Sequence, residues 1–371
     1  MAILILSVPA DLHSSVVQWS LAAAGVKSSL FIFPDFPDKL HFSWRISSFQ
    51  QRSLDWQGLS NSDSLDDYSV VWSRRVYSAS VPADAHQSDR KHIEYHNTLA
   101  VRWLKKELLS NSLAINSVLG QENAASKINQ LTAARDAGLE IPDTLFSNDK
   151  DSILEFQNRY PEVIAKPISH VYFEKPDGGL FQSLTTILPQ VRDLDARSFS
   201  YMPYLFQPLL RKRSDVRVFV LGKNLFAVEI MSQTMAETSV DFRARPATLL
   251  PHRRIAPPEH VRSAILEFMS RTDLVFGQFD FVLDQEGKWI FIEVNEQGNW
   301  LWLELMVPDL PLVDCLTKFL IEADPEFEYC EEQIDFSFAR FRKNVDFDEY
   351  VRVEQAKHNG FDPLGKTLEV P

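Results

Sequence analysis

Asp280, Glu293 and Asn295 are the residues of this sequence whose types and spacing come closest to a reactive centre. They lie in FGQFDFVLDQEGKWIFIEVNEQGNW, residues 276–300. Two carboxylates and a carboxamide oxygen make a hard-oxygen set, the kind that holds Mg2+ together with substrate phosphate oxygens. Carboxylates converging on one place repel each other unless a cation sits between them. The competing reading is a solvated strand face with incidental acids. It is weakened by the strongly apolar run around Glu293, because acids are rarely buried unless paired or metal-bound.

Elements must bring these groups together. Residues 277–283 and 289–295 read as two strands joined by 284–288, where Glu286-Gly287 suits a tight turn. Alternation predicts Ile290, Ile292 and Val294 on one face and Trp289, Phe291, Glu293 and Asn295 on the other. Pairing across the turn then carries Asp280 to the Glu293 face. Upstream, DVRVFV at 215–220 alternates, and Gly222-Lys223-Asn224 turns it into a hairpin with 225–230. Asp215, Arg217 and Phe219 share a face of that strand. Residues 260–269 and 312–321 read as helices.

The chain begins with AILILSV at 2–8, a continuous apolar run suited to a buried parallel strand. A helix at 15–24 with Gly25 past its end and a strand at 28–33 complete a β-α-β start, so a small α/β domain is expected here. SVVWSRR at 69–75 is a strand ending in Arg74 and Arg75, and 89–110 is a long helix. From Ser126 a helix runs to Gly138. VIAKP at 163–167 is a strand, and 205–210 is apolar and extended. Asp177-Gly178-Gly179 falls in a polar loop or hairpin turn.

Composition narrows the function classes. The 371 residues are enough for two or three domain-sized units. A formal net charge of −13 argues against a general nucleic-acid binder. Cys315 and Cys330 have no CxxC spacing, so no zinc site is legible and a reducing cytoplasm is the simplest home. The N-terminus lacks a basic stretch before its apolar run and reads as a strand rather than a signal peptide. No apolar run reaches membrane-spanning length.

The order Lys166, glycine loop, Gln207, Asp215-x-Arg217, Asp280, Glu293-x-Asn295 resembles the ATP-grasp superfamily over roughly residues 110–322. VWSRR at 71–75, AINS at 114–117, SKINQL at 126–131, DVRVFVLG at 215–222, VDFRAR at 240–245 and EVNEQGNWLWLE at 293–304 resemble one branch of it, the graspetide synthetases that macrocyclise ribosomal peptides. That family carries a proline after E-x-N, where this chain has Glu296.

The resemblance implies an α/β protein with an α+β core. It sets a pre-ATP-grasp domain at 1–115, a central subdomain at 116–205, a C-terminal subdomain at 206–323 and an extension at 324–371. Nucleotide would bind between two antiparallel sheets. Lys127 and Lys166 would hold its phosphates, and Gly178 and Gly179 would close over them. Gln207, Pro208, Leu209 and Leu210 would receive adenine. Asp215 is the nearest carboxylate for the ribose, and Asn299 would stand near the phosphates. Asp280, Glu293 and Asn295 would hold one or two Mg2+ ions. Arg217 could clamp the γ-phosphate or an acyl phosphate, as could Arg243 and Arg245. Arg74 and Arg75 read as structural partners of acidic groups or as substrate contacts, and Trp300 and Trp302 as packing.

The activity implied is ATP-dependent activation of Asp or Glu side chains of a precursor peptide, followed by ω-ester or ω-amide formation. A leader segment would dock near 170–204 and 225–240, and a homodimer is among the expected partnerships. Two alternatives stay open: an ATP-grasp ligase joining amino acids to a small molecule or to a peptide or protein terminus, and a non-enzymatic ATP binder. The tail beyond Ala323 reads as acidic and irregular. A lid, a dimer contact, a docking segment and a packing extension are all compatible with it.

Overall fold

The computed structural model describes residues 2–49, 52–59, 62–76, 81–110, 112–168, 172–174, 180–182 and 185–358. Its first sheet is parallel, in the order Lys27–Ile32, Ala2–Ser7, Val70–Ser73, Leu113–Ile115. All six residues of Ala2–Ser7 are buried, as a strand covered on both faces requires. Leu4 and Leu6 face helix Arg90–Leu108 and the antiparallel strands His41–Arg45, Ser53–Gln57 and Ser62–Ser64. Ile3 and Ile5 face helix Leu12–Ala23 and the C-terminal half of the chain. Asp11 caps that helix by accepting from the Ser14 amide, and Gly25 leaves it at φ +73°.

A four-stranded antiparallel sheet follows, ordered Thr186–Ile187, Val163–Lys166, Tyr204–Pro208, Leu145–Ser147. Helix Lys150–Gln157 covers one side, with Ile153 and Phe156 packed on Val163 and Phe206. A hairpin pairs Tyr172–Glu174 with Leu180–Gln182. The expected glycine loop at Gly178 and Gly179 lies outside the described residues.

The third sheet is antiparallel and five-stranded: His252–Ile255, Asn224–Ile230, Lys212–Leu221, Phe276–Asp284, Trp289–Asn295. Val216, Val218 and Val220 face helix Glu259–Thr272, and Phe219 and Leu221 face the opposite core, so the alternation expected there is present. Helices Val118–Ala125 and Lys127–Asp136, assigned above to the central unit, pack on this C-terminal sheet instead: Ala124, Leu131 and Ala134 join Phe268 and Phe279. Chain order and packing partner diverge at this point.

The tail is more regular than its composition implies. After an irregular stretch at 324–337 it forms helices Phe338–Asn344 and Phe347–Lys357. Ser337 caps the first by accepting from the Arg340 amide. Phe338 and Phe341, three apart on one helix face, are buried in the core that also holds Ile3, with Trp19 packed against it. Burying two phenylalanines contributes roughly 3–6 kcal/mol. Among the described residues no helix is long and apolar enough to cross a membrane.

Candidate active site

A cleft opens between the central and C-terminal antiparallel sheets. The central sheet supplies Ile164, Lys166 and Gln207, followed by Pro208, Leu209 and Leu210. The C-terminal sheet supplies Lys212, Asp215, Asp280, Val282, Ile292 and Glu293. Lys127 enters from the first turn of its helix, and Val240, Asp241, Phe242 and Arg243 close one side. Most of the residues singled out by sequence therefore meet in one place.

Asp280 and Glu293 are direct partners across neighbouring strands. The register slips immediately beside them: Asp280 faces Glu293 and Phe281 faces Phe291, leaving Ile292 as an extra residue. This bulge corrects the strict alternation expected for Trp289–Asn295. Trp289, Phe291 and Val294 all enter the core, while Ile292 and Glu293 both line the cleft. An added residue shifts the side-chain phase of everything after it. The bulge thus sets Glu293 beside Ile292 on the cleft wall while Trp289, Phe291 and Val294 stay in the core. Asn295 lies past the bulge, opposite Gln278, half-buried and outside the cleft lining.

Each cleft carboxylate has a cationic partner. Arg217 Nε and Nη2 donate to the two oxygens of Asp280 at 2.6 and 2.7 Å. Lys127 Nζ is 3.0 Å from Glu293 Oε2, and Arg243 Nη1 is 3.9 Å from Oε1. Arg243 is itself held by both oxygens of Asp241, at 2.9 and 2.8 Å. Lys212 donates to Asp215 at 2.7 Å, and burial raises the Asp215 carboxyl above its ordinary value. Lys166 has no carboxylate at ion-pair distance among the described residues. Burial pushes its ammonium down to about 8. Phosphate-sized negative charge placed here would meet several positive groups at once.

Several positioning residues escaped the sequence reading. Asn116 accepts from the amides of Val275 and Phe276 and donates to the carbonyls of Phe276 and Glu296. It fastens the start of the Asp280 strand to the loop after Asn295. Gln130 brackets Val294 through its amide and carbonyl. Asp241 orients Arg243, and Lys212 anchors Asp215. The motifs AINS, SKINQL and VDFRAR contained three of these residues, but their buried polar bonding is invisible without the fold.

Two expectations land elsewhere. Arg245 pairs with Glu237 at 2.9 Å and does not line the cleft. Asn299 is captured by Arg74 and Arg75, whose guanidinium groups donate to its Oδ1 at 2.6 and 2.9 Å. The tight turn from Asn295 to Gly298 carries it that way, into a second cavity with Asp11, His13 and Arg75. Trp300 is fully buried as expected, but Trp302 lines that cavity and lies 5.7 Å from the Arg217 guanidinium carbon.

The residues present suit a divalent cation. Two facing carboxylates offer hard oxygen donors at the cleft wall, and the amide of Asn295 stands two residues on. Among the described residues no group of three His, Cys, Asp or Glu side chains has metal-binding geometry, so substrate oxygens would complete the shell.

No family model matches the chain, and no curated protein matches it. Solved structures do. A RiPP-associated ATP-grasp ligase from Chryseobacterium gregarium, in complex with ADP and a leader and core peptide, aligns at TM-score 0.81 with 21% identity. The alignment covers 87% of this chain and 97% of that one. The macrocyclase MdnC from Microcystis aeruginosa MRC, bound with precursor peptide MdnA, aligns at 0.75 with 21% identity over 87% of this chain and 100% of that one. The ATP-grasp ligase PsnB, complexed with a minimal precursor, Mg and ADP, aligns at 0.66 with 21% identity over 86% and 97%. The chain has the ATP-grasp fold.

Proposed function

We propose that this protein is an ATP- and Mg2+-dependent ligase that activates an Asp or Glu side chain of a precursor peptide and joins it to a hydroxyl or amine of the same peptide. The observation that carries the reading is the cleft. Lys127, Lys166, Arg217 and Arg243 surround the facing pair Asp280 and Glu293 between two antiparallel sheets. The peptide as substrate is supported by solved neighbours of the same fold that hold leader, core or precursor peptides.

The chemistry is phosphoryl transfer followed by acyl transfer. The γ-phosphoryl group moves to a carboxylate oxygen, and ADP leaves. The hydroxyl or amine then attacks the carbonyl carbon, and inorganic phosphate leaves with one former carboxylate oxygen. Each bond costs the peptide one water. Such reactions need charge neutralisation, alignment and exclusion of water from the acyl phosphate.

Asp280, Glu293 and Asn295 would hold Mg2+, which would neutralise phosphate charge. Lys127 and Lys166 bind phosphate oxygens. Arg217, set on a strand and pinned by Asp280, presents a planar fork suited to phosphate or carboxylate. Arg243 does the same from the opposite wall, oriented by Asp241. Pro208, Leu209 and Leu210 offer an apolar rim for the base, and Asp215 a carboxylate for the ribose. Free Cys315 and Cys330 fit a reducing cytoplasm.

The test is incubation with ATP, Mg2+ and short candidate peptides carrying Asp or Glu together with Thr, Ser or Lys. Peptide-dependent ADP release with loss of one water per bond supports the reading. Gain of an amino-acid mass would move the protein to ligation of a terminus.

A further inference from the structure

The second cavity, about 680 Å³, lies where three parts of the chain meet. Asp11 and His13 come from the start of helix Leu12–Ala23 and Arg75 from just past strand Val70–Ser73. Asn299, Trp302 and Leu305 follow the Asp280–Glu293 strands, and Phe338, Arg342 and Asp348 belong to the extension. Trp302 lines the cavity and reaches toward the cleft through Arg217. Its ring lies 5.7 Å from the Arg217 guanidinium carbon, and Arg217 grips Asp280. Two side chains, Trp302 and Arg217, link this cavity to the Asp280 carboxylate of the cleft.

We propose that the C-terminal extension forms one wall of the peptide-binding site, and that Arg342 holds an acidic side chain of the peptide beside the residue being activated. This assignment rests on the ligase reading above and adds to it the part of the chain that reading leaves idle.

Of the cations that line the cavity, Arg342 is the uncommitted one among the described residues, with Asp348 an exposed carboxylate on the same lining. Arg75 is committed to Asn299 at 2.9 Å and lies 3.5 Å from Asp11 Oδ2. Asp11 is buried and also 3.3 Å from Arg74. Burial holds the His13 imidazole well below its ordinary value, and its Nε2 accepts from the Trp300 amide. Asp346 caps the following helix by accepting from the Glu349 amide. Arg342 is exposed, lines the cavity and has no ion-pair partner among the described residues. A free guanidinium at the mouth of a cavity is a carboxylate reader. The neighbouring apolar surface of Leu305, Phe338 and Val345 suits peptide side chains rather than a lone inorganic anion.

The extension is held firmly enough to serve as a wall. Buried Glu304 accepts from the amides of Phe338 and Val313, and buried Asp314 accepts from those of Asp335 and Phe336. Its far end reaches the N-terminal domain, where Tyr350 meets Ser15 at 3.2 Å and His358 meets Asp35 at 2.6 Å.

The experiment uses the full-length enzyme, Arg342→Ala, Arg342→Lys and a chain ending at Asn344, which keeps Phe338 and Phe341 in the core. A synthetic panel of linear peptides, each with Asp or Glu together with Thr, Ser or Lys, is screened for ADP release. The best peptide is then titrated. Arg342→Ala is expected to raise its KM about 10- to 100-fold, as losing one charge-assisted hydrogen bond does. The KM for ATP should stay put, and Arg342→Lys should recover part of the loss. The shortened chain, which keeps Arg342 but loses Val345, Asp346 and Asp348 from the wall, should raise the peptide KM by less than Arg342→Ala. A stimulating peptide whose KM ignores both Arg342→Ala and the truncation would overturn this assignment while leaving the ligase reading standing. Stimulation of the wild type by no member of the panel would count against the peptide reading, and this assignment falls with it.

Discussion

At the scale of single residues, the cleft is a balanced set of charges that a nucleotide and its metal would rearrange. Glu293 is bound to Lys127 and Asp280 to Arg217, so each carboxylate is already neutralised within the chain. A cation arriving between the carboxylates would free those side chains for phosphate. Glu293→Gln and Asn295→Ala are therefore expected to lower peptide-dependent ADP release by at least about 100-fold, in the range of losing one transition-state contact. Full turnover in both variants would remove the metal assignment. Lys166 gives a pH signature. Its ammonium titrates near 8, below the ordinary lysine value, because it is buried. In the proposed role only the charged form would bind phosphate, so the KM for ATP should be low below pH 8 and rise as pH passes through it. Lys166→Arg, which stays charged, should flatten that rise. Asp280 and Glu293 were legible in sequence because acids in an apolar strand demand a reason. The phase of that strand was not, because a bulge at Ile292 depends on register with the neighbouring strand, which one sequence does not print.

At the scale of elements, buried side-chain amides fasten the reactive strands. Asn116 makes four bonds to the backbone around Phe276 and Glu296, and Gln130 brackets Val294. Asn116→Ala would strand several buried backbone groups at once. Its expected cost is about 2–4 kcal/mol, readable in the midpoint of urea unfolding, with activity falling further than stability because the Asp280 strand loses its anchor. A close approach elsewhere gives a second test. A Cβ on Gly120 would stand 2.2 Å from the Asp273 carbonyl oxygen, so Gly120→Ala must push apart helix Val118–Ala125 and the end of helix Glu259–Thr272. Marked loss of thermal stability is expected from circular dichroism melting. The strands and helices themselves were largely readable from period and turn residues. Gly222, Gly287 and Gly138, at φ +55°, +86° and +88°, stand at the breaks read from sequence. The packing of Lys127–Asp136 on the C-terminal sheet was not readable, since a helix's apolar stripe does not name the surface it covers.

At the scale of the whole molecule, three sheets and a C-terminal strap surround one cleft and one neighbouring cavity. Phe338 and Phe341 belong to the core shared with the N-terminal sheet, so ending the chain at Glu322 should expose that core and give an insoluble or unfolded product, visible in expression and melting. Glu304, which receives the Phe338 amide, adds a pH effect. Burial raises its carboxyl to about 7, so the native state holds a proton there that the unfolded state releases near 4.5. Its contribution to stability is greatest below 4.5 and declines as pH rises towards 7. The chemistry of the cleft is read from its products. With ATP, Mg2+ and a stimulating peptide, ADP and phosphate are expected in equal amounts, with the peptide lighter by one water for each ADP formed. AMP and pyrophosphate as products, or ADP formed with the peptide mass unchanged, would contradict it.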